Sequence, residues 1–316
     1  MSLKTISFGH LNLVGRYWNR YVVRSGSGLV YLLIALIFGL SVAQMIITPV
    51  EKMMEQQIKL TGKTNPQEIN EAIEGIGLPI IEWVLGTKEQ GDAAPGPLLT
   101  PFGQQVPSGP WSKFLVKDRP ALLSAIFLVL VFGMPFAISF LAFNQVSGDI
   151  QSRGLRYLLL RTERSNIYFG RFLGSAVFST LVMAFIVATI TFYLGVKLRI
   201  YSAGSLFGWA VHGFLALSIL MLPYIALCSM ISVSVDSSFL SLVLAKLTIG
   251  GVLLFAVVGK VAWEPMIYFK FVLPWGVQNY LLHPELIYSG GAALACLGYT
   301  TVFLMLGYYR FETRDL

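Results

Sequence analysis

Charge is scarce in this chain. Of 316 residues only 12% are Asp, Glu, Lys or Arg, about half the share usual in soluble domains. Apolar residues make up 55%, and the mean hydropathy is +0.70. These totals exclude an ordinary soluble domain and point to a membrane protein. Acids are the rarer charge, 16 against 23 bases, for a net +7. In so apolar a chain a basic excess anchors loops at the cytoplasmic membrane face, so no nucleic-acid partner is expected.

Sites that need particular residues are missing too. The two cysteines, Cys228 and Cys296, lie far apart inside apolar runs, which excludes a disulfide framework and a thiolate metal site. They read as small buried side chains. His10, His212 and His283 are too scattered for a metal cluster, and no HExxH, GxSxG or CxxC occurs. "QIKLTGKT" (57–64) ends like a phosphate-binding loop. It has Gln57 where that motif needs glycine and no strand before it, so the chain is expected to bind no nucleotide or other cofactor itself.

Long apolar runs dominate what is present. A membrane-spanning helix needs about 20 such residues, and six runs qualify: 28–50, 120–143, 172–195, 206–233, 238–262 and 289–309. "SVA" ending at Ala43 resembles a signal cleavage site. The run continues past it to Val50, however, so it reads as a span. The expected fold is all-α: a polytopic bundle of six transmembrane helices with no fixed-period repeat.

Basic residues near the span ends set the expected orientation. Residues 1–27 hold Lys4, Arg16, Arg20 and Arg24 and no acid, segment 144–171 holds five arginines, and the tail 310–316 adds Arg310 and Arg314. Lys197 and Arg199 are a minor exception. Both termini are expected inside, in the inner membrane.

Three stretches lie between or before the spans. Within 8–25, Arg16, Arg20 and Arg24 share one helical stripe, while Leu11, Val14, Trp18 and Tyr21 share another. That pattern predicts an amphipathic helix in the cytoplasmic membrane surface, the alternative being a helix packed on protein. Residues 51–119 form a long external segment. "NPQEIN" offers Asn65 as cap, Pro66 at the first helical position and Glu68 one turn in, and five prolines crowd 91–110. Segment 263–288 is aromatic, with prolines at 265, 274 and 284, and is expected to dip into or lie on the outer membrane face.

Inside the spans, Lys246 is the conspicuous ionisable group, roughly 12 Å into the fifth run at 1.5 Å per residue. Snorkelling or packing is the favoured reading, and a place in a transport path is the alternative. Pro135 and Pro223 predict kinks in the second and fourth spans.

The most polar stretch in the middle of the chain is "FNQVSGDIQSRGLRYLLLRTERSNIYFGRFLG" (143–174). It predicts a short helix mixing arginines with Leu155, Tyr157, Leu158, Leu159 and Leu160. Such a helix can lie on the inner leaflet or offer an apolar and basic knob to a soluble partner. The stretch resembles the cytoplasmic connection of ABC type-2 transporter permeases. The matching residues are Ser147, Gly148 and Asp149, then Arg153, Gly154 and Leu155, then Leu158 and Leu159, then Arg164, Ser165, Gly170 and Arg171. "VLPWGVQNYLLHPELIYSGG" is similar to that family's external segment before the sixth span, and "RFETRDL" to its C-terminus. Thr162 and Glu163 depart from the family's Pro-Val, and the 51–118 segment is longer than in its simplest members.

The resemblance implies the permease subunit of an exporter. Two copies of a separate ABC ATP-binding subunit would bind ATP and Mg, and a second permease copy, or a related permease, would complete the assembly. Residues 150–164 would be the coupling helix. The docking set would be Asp149, Arg153, Gly154, Leu155, Arg156, Leu158, Leu159, Arg161 and Arg164, with Leu155 to Leu160 filling the ATPase groove. Two other readings stay open: a mechanical transmitter acting on an extracytoplasmic protein through 51–118, and an ion-coupled secondary transporter. The transporter would need more intramembrane ionisable groups than Lys246 and His212. A membrane enzyme would need a catalytic constellation, and none is visible.

Overall fold

The computed structural model describes residues 8–61, 111, 114–198, 201–262 and 264–314. Its elements are helices and turns: α1 (Phe8–Arg24), α2 (Ser27–Thr61), a π-helical turn (Phe114–Asp118) and α3 (Ala121–Ala142). Two short helices follow, α4 (Ser147–Gln151) and α5 (Leu155–Leu159). Long helices α6 (Arg164–Leu198), α7 (Ala203–Ser234) and α8 (Ser238–Ala262) come next. Three 3-10 turns cover Glu264–Phe271, Pro274–Gly276 and Gln278–Leu282, and α9 (Leu286–Thr313) closes the chain. No strand occurs among the described residues.

Six helices are long and apolar enough to cross a membrane: α2, α3, α6, α7, α8 and α9. Burial separates them. The most apolar windows of α3 and α7 are 78% and 67% buried, against 22% to 39% in the other four. The bundle therefore has α3 and α7 at its centre, with α2, α6, α8 and α9 around them. Pro135 and Pro223 lie inside the two central helices, where neighbouring helices surround them.

Helix ends depart from the apolar runs. α2 continues through Pro49 to Thr61, eleven residues past the expected end at Val50. At 1.5 Å per residue its 35 residues span about 52 Å, well beyond a hydrocarbon core of about 30 Å. "EKMMEQQIKL" (51–60) is rich in helix formers, so the helix persists into water. Glu51 on this extension accepts a hydrogen bond from Lys197 Nζ at 2.7 Å. The helix expected from Asn65 lies outside the described residues.

Segment 264–285 packs against the bundle. Buried Trp275 stands among Phe132, Phe136 and Tyr224, with centroid distances of 5.8 to 5.9 Å, and its Nε1 donates to the Ile249 carbonyl at 3.2 Å. Lys246 packs against α3. Its Nζ donates to the Phe136 carbonyl at 3.3 Å and lies 3.7 Å from the Phe140 ring centroid.

His283 closes the same segment. It packs against Trp111 and Tyr288 at 5.0 and 4.6 Å, and the Glu285 N–H donates to its Nδ1 at 3.1 Å. Burial lowers its pKa from the usual 6.5, partly opposed by Glu285. The folded protein therefore favours the neutral ring. Its contribution to stability is full above pH 6.5 and is lost as pH falls through the lower folded value. We expect the thermal midpoint of the detergent-purified protein to drop between pH 7 and pH 5.5, and His283→Gln to flatten that dependence.

Candidate functional site

The polar stretch folds at the end of the bundle that also holds α1 and the C-terminal turn of α9. Its centre is Arg171, near the start of α6 and only 4% exposed. The guanidinium donates to the Gln145 carbonyl and to the Asp149 carboxylate, and lies 5.2 Å from the Trp18 ring. A charge so buried persists only when paired and hydrogen-bonded, and Arg171 is both.

Neutral side chains extend the junction in both directions. Trp18 Nε1 donates to Ser175 Oγ at 2.7 Å, and Gln145 Nε2 donates to the same oxygen at 3.1 Å. Ser229 on α7 donates to Gln145 Oε1. Ser232 Oγ accepts the N–H groups of Val146 and Ser147, both at 2.9 Å, which are otherwise free at the start of α4. One network thus joins α1, the α3–α4 turn, α6 and α7.

α1 reaches this network through a close helix crossing. A Cβ added at Gly174 would lie 2.9 Å from the Gly15 carbonyl oxygen, and one at Gly15 would lie 3.2 Å from the Gly170 carbonyl oxygen. Only glycine permits that approach. The stripe of Leu11, Val14, Trp18 and Tyr21 accordingly packs on protein, with Trp18 4% exposed, while Arg16, Arg20 and Arg24 face outward. Of the two readings of this amphipathic helix, its apolar side follows the protein-packed one.

A second small core holds the short helices. Val146, Leu155, Ile167, Tyr168, Val233 and Phe311 are buried together, with Leu158 and Leu159 partly buried against them. Arg164 Nη1 donates to the carbonyls of Phe311, Glu312 and Arg314 at 2.8 to 3.0 Å. It satisfies the open carbonyls at the end of α9. Arg314 in turn donates to the Val233 carbonyl and pairs with Asp236. The C-terminal "RFETR" is therefore the wall against which the stretch is built.

The expected docking residues divide accordingly. Asp149 and Arg164 are held by internal partners, and Leu155, 2% exposed, is a core residue. Arg153, Arg156 and Arg161 are exposed. The apolar side chains that project beside them are Tyr157 and Leu160, 76% and 84% exposed. Lys246 lies within the bundle, apart from this group. Sequence reasoning gave the arginines and the leucine run but not Gln145, Trp18 and Ser229 as the scaffold. Neutral polar residues at the end of an apolar run carry no distinctive signal.

Arg153 has a backbone property of its own. It ends α4 with φ +56°, while Gly154 beside it is helical at φ −65°. The left-handed conformation disfavours residues with a Cβ by about 1–2 kcal/mol. Arg153→Gly is expected to stabilise the isolated chain by about 1 kcal/mol, and the β-branched Arg153→Val to destabilise it. Thermal midpoints of the two variants in one detergent check this.

Among the described residues no group of three or more His, Cys, Asp or Glu could hold a metal ion. Bundle and junction together define a class: a multi-pass helical membrane protein with a firmly anchored polar platform at one end. The chain belongs to the ABC-2 transporter family, for the family described as ABC-2 family transporter protein matches residues 20–316. Membership makes it a transport-family membrane protein, consistent with a permease subunit, and implies an ABC ATP-binding subunit as its partner. No curated protein matches the chain.

Proposed function

We propose that this chain is the permease subunit of an ATP-driven exporter in the inner membrane, with both termini and the polar platform in the cytoplasm. ATP and Mg bind to separate ATP-binding subunits, two per assembly, and two permease chains form the pathway. The platform residues 147–161 dock on those subunits. The supporting observation is the pair of exposed apolar side chains, Tyr157 and Leu160, set among Arg153, Arg156 and Arg161 on a segment whose inner side is fixed. Apolar anchors ringed by arginine are the composition of an interface centre.

The same anchoring supports a lever. Closure of two ATP-binding subunits moves whatever is docked on them. Asp149–Arg171 and Arg164 tie the platform to α6 and α9, so displacement of Leu160 reaches the membrane helices without loss in a flexible loop. Two arrangements of the bundle, biased by that displacement, give alternating access.

A second use of the lever is mechanical. α2 extends beyond the membrane to Thr61 and is tied there to α6 by Glu51 and Lys197. Motion of the bundle can therefore be delivered to an extracytoplasmic protein through 51–118.

Purification of the tagged chain from its host in mild detergent tests the main reading. An ATP-binding subunit and ATPase activity are expected to co-purify, and Tyr157→Asp with Leu160→Asp is expected to release both while the chain keeps its thermal midpoint. If those substitutions leave the yield of partner unchanged, the docking role is wrong. Deletion of 62–110 separates the two uses: loss of function with retained ATPase activity favours the mechanical one.

A further inference from the structure

α1 leaves one flank unexplained. Its buried side follows the crossing with α6, yet between that side and the arginine stripe runs a groove of about 700 Å³. One wall is polar: Asn12, Arg16 and Asn19 of α1. The other is apolar: Leu173 and Val177 of α6, which are 42% and 52% exposed and belong to a membrane-crossing helix. A second hollow, on the outer side of α1, continues the polar wall to Arg20. Arg16 and Arg20 are one turn apart, about 6 Å along the axis. Neither meets a carboxylate among the described residues, and α1 itself contains none.

A cationic wall facing an apolar wall, where α1 crosses the membrane-spanning α6, fits an amphiphile with a negative head. Asn19 narrows the class further. Its Oδ1 is buried without a hydrogen-bond partner, beside the Gly174 floor of the groove. An unpaired buried acceptor is costly, and a headgroup hydroxyl satisfies it where a choline, having no N–H or O–H, does not.

We propose that the α1–α6 groove binds an anionic glycerophospholipid with a hydroxyl-bearing headgroup. Arg16 and Arg20 hold its phosphate, Asn19 accepts from its headgroup, and an acyl chain lies along Leu173 and Val177. The lipid then acts as a wedge that holds α1 on α6, next to the Trp18–Arg171 contact. The site depends on the placement of α1 and not on the identity of the transported substrate or of the ATPase.

The test uses the full chain in nanodiscs of phosphatidylcholine alone or of phosphatidylcholine and phosphatidylglycerol in equal parts. Native mass spectrometry then reads the lipid retained on release. Phosphatidylglycerol is expected to be retained and to raise the thermal midpoint. Arg16→Gln with Arg20→Gln should bind it about 25-fold more weakly, at roughly fivefold per arginine near an anionic surface. Both arginines are exposed and meet no carboxylate among the described residues, so the variant should fold; an unchanged midpoint in phosphatidylcholine confirms that. Inorganic phosphate added to the phosphatidylcholine discs is the control for a free anion. The inference is overturned if phosphate protects as well as the lipid, if both lipids are retained equally, or if the double variant keeps its phosphatidylglycerol.

Discussion

Arg171→Met is expected to destabilise the protein by about 3 kcal/mol, the low end for removing one partner of a buried ion pair. It strands the Gln145 carbonyl and the Asp149 carboxylate, which face Arg171 inside the junction. Asp149→Asn should cost less, because the asparagine keeps an oxygen that can accept from the Arg171 guanidinium, which also retains the Gln145 carbonyl. The double substitution should cost less than the two separately, since the second change removes a charge the first has stranded. Thermal midpoints of the three variants in one detergent measure this. ATPase activity in the assembled complex should fall in the same order, because Arg171 joins the platform to α6.

Gly174→Leu is the second large effect. Even a Cβ there meets the Gly15 carbonyl oxygen at 2.9 Å and Trp18 Cδ1 at 3.0 Å. Backbone cannot swing aside as a long side chain can, so α1 must lift from α6. The lift breaks the Trp18 Nε1 bond to Ser175 and moves Trp18 off the Arg171 guanidinium. A loss of several kcal/mol is expected, in the range of overpacking and broken buried hydrogen bonds together. Gly174→Ala should lie between that variant and the parent. Tryptophan is the natural reporter: Trp18 should become accessible to a soluble quencher in Gly174→Leu and stay shielded in the parent. Unchanged quenching would mean that α1 is held by something other than this crossing.

The membrane spans were legible because their physical requirement is written directly in the sequence: about 20 apolar residues in a row. The run 238–262 coincides with α8, and 120–143 with α3 to within one residue at each end. Helix ends were less legible. α6 begins at Arg164, eight residues before its apolar run, because polar residues at the bundle's end are fixed by tertiary partners that no local pattern reveals. The inner and outer sides of α5 were not legible at all. Five residues are too few to establish a helical period, so Leu155 and Leu160 look alike in sequence, yet one is core and the other projects. The stripe on α1 was visible as a stripe. That it packs on α6 follows from Gly15, Gly170 and Gly174, whose pairing across the chain needs the structure.

The arginine and leucine stretch resembles the family's coupling connection. The structure shows which residues of that stretch are exposed. Arg164 caps α9, while Tyr157 and Leu160 occupy the outer surface. We propose that those two side chains, with Arg153, Arg156 and Arg161, form the docking surface for the ATP-binding subunit.

Photo-crosslinking in the native membrane tests it most directly. A benzophenone amino acid placed at Leu160 lies on the exposed platform, and one at Arg156 lies beside it. We predict covalent capture of an ABC ATP-binding subunit from both positions, with the yield altered by addition of ATP. Capture of lipid alone from both positions would contradict the claim, and the arginines would then be anchors of the membrane surface.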